Sequence, residues 1–277
     1  PDKIFVSHPA DVNLDHKTLY LFLQVALSDL EGRIPKPKVY PYLVHSAGWP
    51  KPRRYHPELL LSPPDKFIAS EIDWLRFNLS FEELDKKYRS ILFYKSQTQS
   101  AAFYLLSFAR ENELFGDYPL LELEPRPRLK NKVISYFAPS EVFNPLPIEE
   151  GTAEEIEEKG FGNYARQEDY FIVRVDKPKK LSARFGVMLY VFGYSKDTAF
   201  AQMPKIRIVT SAGRCKVFSA KDRVIDHGVR LDFGKNSLIL KIPLKLLGEP
   251  DYLLTALKAY YGNLPIDAVG YRKIKIK

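Results

Sequence analysis

Cysteine is almost absent from this chain, with Cys215 the single one among 277 residues. That excludes an internal disulfide framework and a cysteine-based zinc site. Arg214 and Lys216 flank the thiol in a way that favours a thiolate, but no histidine lies near it in sequence, and the position reads as a strand residue. Long apolar runs are missing too. No stretch approaches the ~20 residues a bilayer span requires, and no basic-then-apolar leader opens the chain. The expectation is a cytoplasmic protein without a membrane span. An initiating methionine is also lacking: the chain opens at Pro1, in what reads as mid-strand. A fragment is therefore expected, with any leader falling upstream of it.

What the chain does have is length for one or two domains, an ample apolar share and a net charge of +8. The charge directs attention to basic clusters with interleaved aromatics. Tyr271-Arg272-Lys273-Ile274-Lys275-Ile276-Lys277 alternates with period two, as does a half-buried strand with a basic outer face. Lys51-Pro52-Arg53-Arg54-Tyr55 follows Trp49 in a proline-rich loop. It suits the rim of a pocket, where Arg53 and Arg54 meet an anionic part of a substrate such as a phosphate. A nucleic-acid partner is not expected.

The densest chemistry lies between Ser7 and Lys17. Ile4, Phe5 and Val6 end a buried strand, and from Thr18 onward Leu19, Phe22, Leu23, Ala26, Leu27 and Leu30 recur at helical spacing. Asp15 and His16 thus fall at a strand-to-helix junction, where open α/β sheets put their ligands. They read as half of a metal site. In the alternative, Asp15 caps the helix and His16 is an ordinary first-turn residue.

An ordered series over residues 1 to about 120 resembles the second half of the PIG-L or LmbE-like zinc de-N-acetylases, which remove acetyl groups from amino sugars. Asn13-Leu14-Asp15-His16 stands where that family has a His-x-Asp-His motif opening a helix. It is followed by a strand ending in His45, by Gly48-Trp49-Pro50, by Pro63-Pro64, by Lys86 and Lys87 ahead of Tyr94-Lys95-Ser96-Gln97, and by the run from Phe108 to Phe115. The resemblance implies an α/β fold, a truncated Rossmann-like domain. It implies a Zn²⁺ cofactor held by His16, with Asp15 as its bracing partner or a loop brace. It implies a substrate-facing rim carrying Trp49, Arg53 and Arg54.

The family's early His-Pro-x-Asp-Asp motif has no counterpart. His8-Pro9-Ala10-Asp11 imitates its letters but immediately precedes the second motif, and one short loop is not expected to supply both halves of a site. The fragment is therefore expected to be inactive alone. Asn13 replaces the family's first histidine; its amide can donate to an oxyanion but cannot deliver a proton near neutral pH. His45 or His8 could take over as acid, and for each the alternative is a structural histidine. His56 and His227 read as loop residues.

Residues 80 to 115 read as two helices, with Ser80-Phe81-Glu82-Glu83 as a capping box and Leu84, Tyr88, Ile91 and Leu92 as a core stripe. The first domain is expected over 1–125 and a linker over 126–165. The linker holds an acidic run in which Thr152 and Glu155 cap a short helix. From 166 to 277 the pattern is all-β, with strands at 170–175, 184–192, 205–209, 216–219, 228–233, 237–242, 253–261 and 271–275. This part resembles β-sandwich modules of the carbohydrate-binding or DOMON-like type. The likeness implies a glycan partner on Tyr190, Tyr194, Tyr260 or Tyr261, with core packing the alternative.

Two functions stand open. One is a zinc-dependent hydrolase taking the N-acetyl group from an amino sugar or glycoconjugate; the other is a non-catalytic glycan-binding or assembly protein with a degenerate deacetylase-like domain.

Overall fold

A computed structural model describes residues 1–67, 71–124, 163–176 and 184–276. These fall into two compact units. The first holds 1–20 and 37–119; the second holds 21–36, 120–124, 163–176 and 184–276. Most of the expected linker, with Thr152 and Glu155, lies outside the described residues.

The first unit carries β1 (Lys3–Ser7), the start of α1 (Leu14–Asp29), β2 (Lys38–Tyr42), β3 (Asp73–Asn78), α2 (Phe81–Phe93), α3 (Lys95–Leu105) and β4 (Asn112–Asp117). Its sheet runs β1-β2-β4-β3. β1 and β2 are parallel, whereas β4 is antiparallel to both β2 and β3. Ser80 and Glu83 form the expected capping box: Ser80 Oγ accepts the Glu83 N–H at 3.3 Å, and Glu83 Oε2 accepts the Ser80 N–H at 2.7 Å. Leu43, Trp49, Leu61, Phe67, Ile72, Trp74 and Leu114 form the core.

This overturns the expectation of an α/β, Rossmann-like fold. Strand accounts for 42% of the structure, with three short helices among the described residues. A doubly wound sheet needs successive parallel crossovers, and here β4 runs antiparallel between β2 and β3. The end of the expected helical stretch, 112–115, falls instead in β4. Asn112, Leu114 and Gly116 are buried while Glu113, Phe115 and Asp117 are half-buried, which is period two.

The second unit contains β5 (Leu121–Glu122), β6 (Asn163–Gln167), β7 (Tyr170–Asp176), β8 (Phe185–Tyr194), β9 (Lys205–Ser211), β10 (Arg214–Ser219), β11 (Asp222–Val224), β12 (Arg230–Phe233), β13 (Ser237–Pro243), β14 (Tyr252–Tyr261) and β15 (Leu264–Lys275). They form a seven-stranded sheet, β11-β10-β9-β8-β14-β15-β5, and a four-stranded one, β12-β13-β7-β6. Both line one core. Phe171, Val173 and Val175 of β7 oppose Ile242, Leu240 and Leu238 of β13, and Val187, Leu189, Ile206, Ile208, Leu253 and Leu257 of the larger sheet join the same cluster. Each such side chain withdrawn from water contributes about 1.5–3 kcal/mol before entropy is counted. Among the described residues no helix is long and apolar enough to cross a membrane.

Two positions give stability predictions. A Cβ on Gly193 would meet the Leu247 carbonyl oxygen at 2.0 Å, so only glycine allows β8 to approach that backbone. Gly193→Ala is expected to cost about 2 kcal/mol or more in urea unfolding.

Asp117 Oδ1 accepts the Tyr20 hydroxyl at 2.7 Å and the Tyr118 N–H at 2.8 Å. Burial nevertheless raises its pKa to about 6, outweighing those two bonds. Because the folded value exceeds the unfolded one of about 3.9, the stability this group contributes is complete below that pH and lost as pH rises through about 6. Thermal melts across that window are expected to show a decline that Asp117→Asn removes, leaving the variant more stable above pH 6 by on the order of 1–2 kcal/mol.

Candidate metal centre

The loop between β1 and α1 is closed by backbone and side-chain hydrogen bonds before any site forms. His8 donates its N–H to the Tyr42 carbonyl at 2.8 Å, and its Nδ1 accepts the Ala10 N–H at 3.0 Å. Its ring is fully buried and stacks on Trp74 with centroids 5.3 Å apart. His8 is a core histidine.

Asp11 is the hub. Its carboxylate is fully buried. Oδ1 accepts the Asn13 N–H at 2.8 Å, while Oδ2 accepts the N–H groups of Val44 at 3.1 Å and His45 at 2.8 Å. His16 Nδ1 lies 3.0 Å from Oδ2 and His45 Nδ1 3.3 Å from Oδ1. In return Val12 donates its N–H to the His45 carbonyl at 3.1 Å, lacing the loop after β1 to the loop after β2. Burial pushes the Asp11 pKa up, but the hydrogen bonds from His45, Asn13, His16 and Val44 outweigh it and hold the carboxyl below its ordinary value.

The neighbouring predicted residues take other roles. Asn13 caps α1, its Oδ1 accepting the Asp15 N–H at 2.8 Å. Asp15 is exposed in the first turn, where its charge complements the helix dipole. It does not brace His16; Asp11 does. Trp49 is buried, donates Nε1–H to the Ser62 carbonyl at 2.8 Å and packs edge-on against Phe108. It is a core residue, not part of an exposed rim.

Arg53 and Arg54 part company. The Arg53 guanidinium lies 4.6 Å from the centroid of the Tyr104 ring, and that ring is stacked 6.2 Å from His45. Arg54 is exposed, with a left-handed φ of 82°. The Tyr104 hydroxyl donates to the Val44 carbonyl. Burial, with Asp11 adding to it and Arg53 opposing it, pushes the phenol up to about 12. In the second unit, Tyr194 is buried with its hydroxyl on Asp29 at 2.7 Å, Tyr190 and Tyr260 are half-buried, and Tyr261 is exposed.

Asp11, His16 and His45 offer ligand atoms that all lie within 4.8 Å of one another. Two imidazoles and a carboxylate are a donor set that divalent zinc accepts, and their convergence within 4.8 Å places them near enough to share one ion. The fit has a second mark. His45 Nδ1 is buried without a hydrogen-bond partner among the described residues, despite its approach to Asp11, and a buried nitrogen is costly to leave so. A cation between these atoms would satisfy it.

The sequence identified His16 and His45 but passed over Asp11, whose signal was the Ser7-His8-Pro9-Ala10-Asp11 run itself. Tyr104 carried no signal beyond its place in a helix. No protein-family model matches this chain, and no curated protein matches it.

Removing the hub is expected to be costly even without metal. In chelator-treated protein, Asp11→Ala leaves three backbone N–H groups without their acceptor, and urea unfolding should report a loss of about 2–4 kcal/mol.

Proposed function

We propose that this chain is a zinc-dependent hydrolase that removes an N-acetyl group from an amino sugar or glycoconjugate, with Asp11, His16 and His45 as its metal ligands. The observation that carries the reading is the convergence of these three ligand atoms, from the loop after β1, the first turn of α1 and the loop after β2, around an unpartnered buried nitrogen. The ordered residues from Asn13 to Phe115 supply the substrate class by their likeness to the de-N-acetylases.

Bound zinc supplies Lewis acidity for the amide carbonyl and lowers the pKa of a water. The chain's own residues supply position. Asp11 holds the His16 ring at 3.0 Å and the backbone of His45 through its N–H, and the backbone hydrogen bonds from Val44 and His45 fix Asp11 in turn. Asn13, anchored through its oxygen, keeps its NH₂ as a donor for a developing oxyanion. A cytoplasmic setting belongs to the same reading, in keeping with one free cysteine.

Elemental analysis after mild dialysis is the test. About one zinc per chain is expected in the unaltered protein, and at least about tenfold weaker zinc binding in His16→Ala and His45→Ala. Release of free amine from N-acetylglucosamine conjugates should follow zinc loading. An unaltered, folded chain that takes up no zinc would overturn the reading.

A further inference from the structure

Arg53 has an unusual combination of a firmly held backbone and an unengaged head. On either side of it Arg110, itself buried, donates to the carbonyls of Pro52 and His56, and the Arg53 carbonyl lies 3.0 Å from His56 Nε2. The next residue, Arg54, donates its N–H to the Phe103 carbonyl at 2.7 Å while its φ stays at 82°. A non-glycine residue held in that region costs conformational energy, which the surrounding bonds offset.

The side chain is held by the Tyr104 ring alone. One guanidinium nitrogen, NH1, is buried with no hydrogen-bond partner, and no carboxylate pairs with Arg53 among the described residues. By contrast the Arg110 guanidinium is fully engaged with backbone carbonyls.

We infer that Arg53 is the specificity residue of the centre, and that the substrate carries an anionic group, phosphate or carboxylate, which the Arg53 guanidinium binds while Tyr104 sets its distance from His45. The inference rests on the hydrolase reading for the word substrate; the anion site itself does not need the metal. A guanidinium presents paired donors to a planar or tetrahedral oxyanion and stacks on an aromatic face at the same time, which lysine cannot do. Tyr104 is fixed by its own hydroxyl on the Val44 carbonyl, beside His45, so anion and metal are registered by one ring.

The test titrates metal-free protein with inorganic phosphate and, separately, with acetate, following backbone amide shifts by NMR. Saturable binding is expected, with phosphate against acetate identifying the preferred anion. Arg53→Gln should weaken it about tenfold or more, and Arg53→Lys should recover part of it. The absence of saturable binding to either anion, or equal binding by folded Arg53→Gln, overturns the inference. Zinc uptake, measured on separate portions of the same preparations after reloading with zinc, separates the two ideas. Loss of anion binding in Arg53→Gln with zinc retained supports the Arg53 role, whereas anion binding by a chain that takes no zinc leaves the anion site standing and removes the hydrolase reading alone.

Discussion

One buried carboxylate organises the end of the first unit's sheet where the loops after β1 and β2 meet. Asp11 accepts hydrogen bonds from its own loop through Asn13 and from the loop after β2 through Val44 and His45. A charge withdrawn from water is tolerated only when its lone pairs are satisfied, and here the groups that satisfy it are the same ones that position two imidazoles. Stability of the loop pair and geometry of the donor set are therefore one property. The parallel pairing of β1 with β2 makes this possible, because it brings both strand ends, and the loops leaving them, to the same edge of the sheet.

The loop carrying Arg53 is built on the same logic with the sign reversed. Arg110 is a buried cation whose donors are spent on the carbonyls of Ser107, Pro52 and His56. That fixes the backbone without using Arg53 itself. In this loop one guanidinium is spent on backbone carbonyls and the other keeps a nitrogen without a hydrogen-bond partner, and the distinction between the two comes from their surroundings and not from residue type.

In the second unit no comparable polar hub is needed. Alternating apolar residues on β7, β8, β9, β13 and β14 enclose a single core, and glycine at position 193 allows β8 to pass close to the Leu247 carbonyl. Tyr194, a candidate for sugar stacking by sequence, instead spends its hydroxyl on Asp29. The exposed Asp29 carboxylate gives the buried phenol an acceptor, and nothing in the local pattern around Tyr194 signals Asp29, 165 residues away.

Local pattern by itself determined a good deal. Short alternating or continuous apolar runs located seven of the second unit's strands within a few residues and the end of an eighth, β15; Ser80 to Glu83 announced a helix start, and His16 and His45 stood out as candidate chemistry. Those features depend on neighbours along the chain. Tertiary structure alone decided the rest. It turned β4 antiparallel, which ended the α/β expectation. It chose Asp11 over Asp15 as the partner of His16, buried His8 and Trp49, and brought Tyr104 beside His45. Each of these depends on pairing between segments distant in sequence, and such pairing is set by which surfaces satisfy one another's hydrogen bonds and exclude water, a quantity no single window of residues contains.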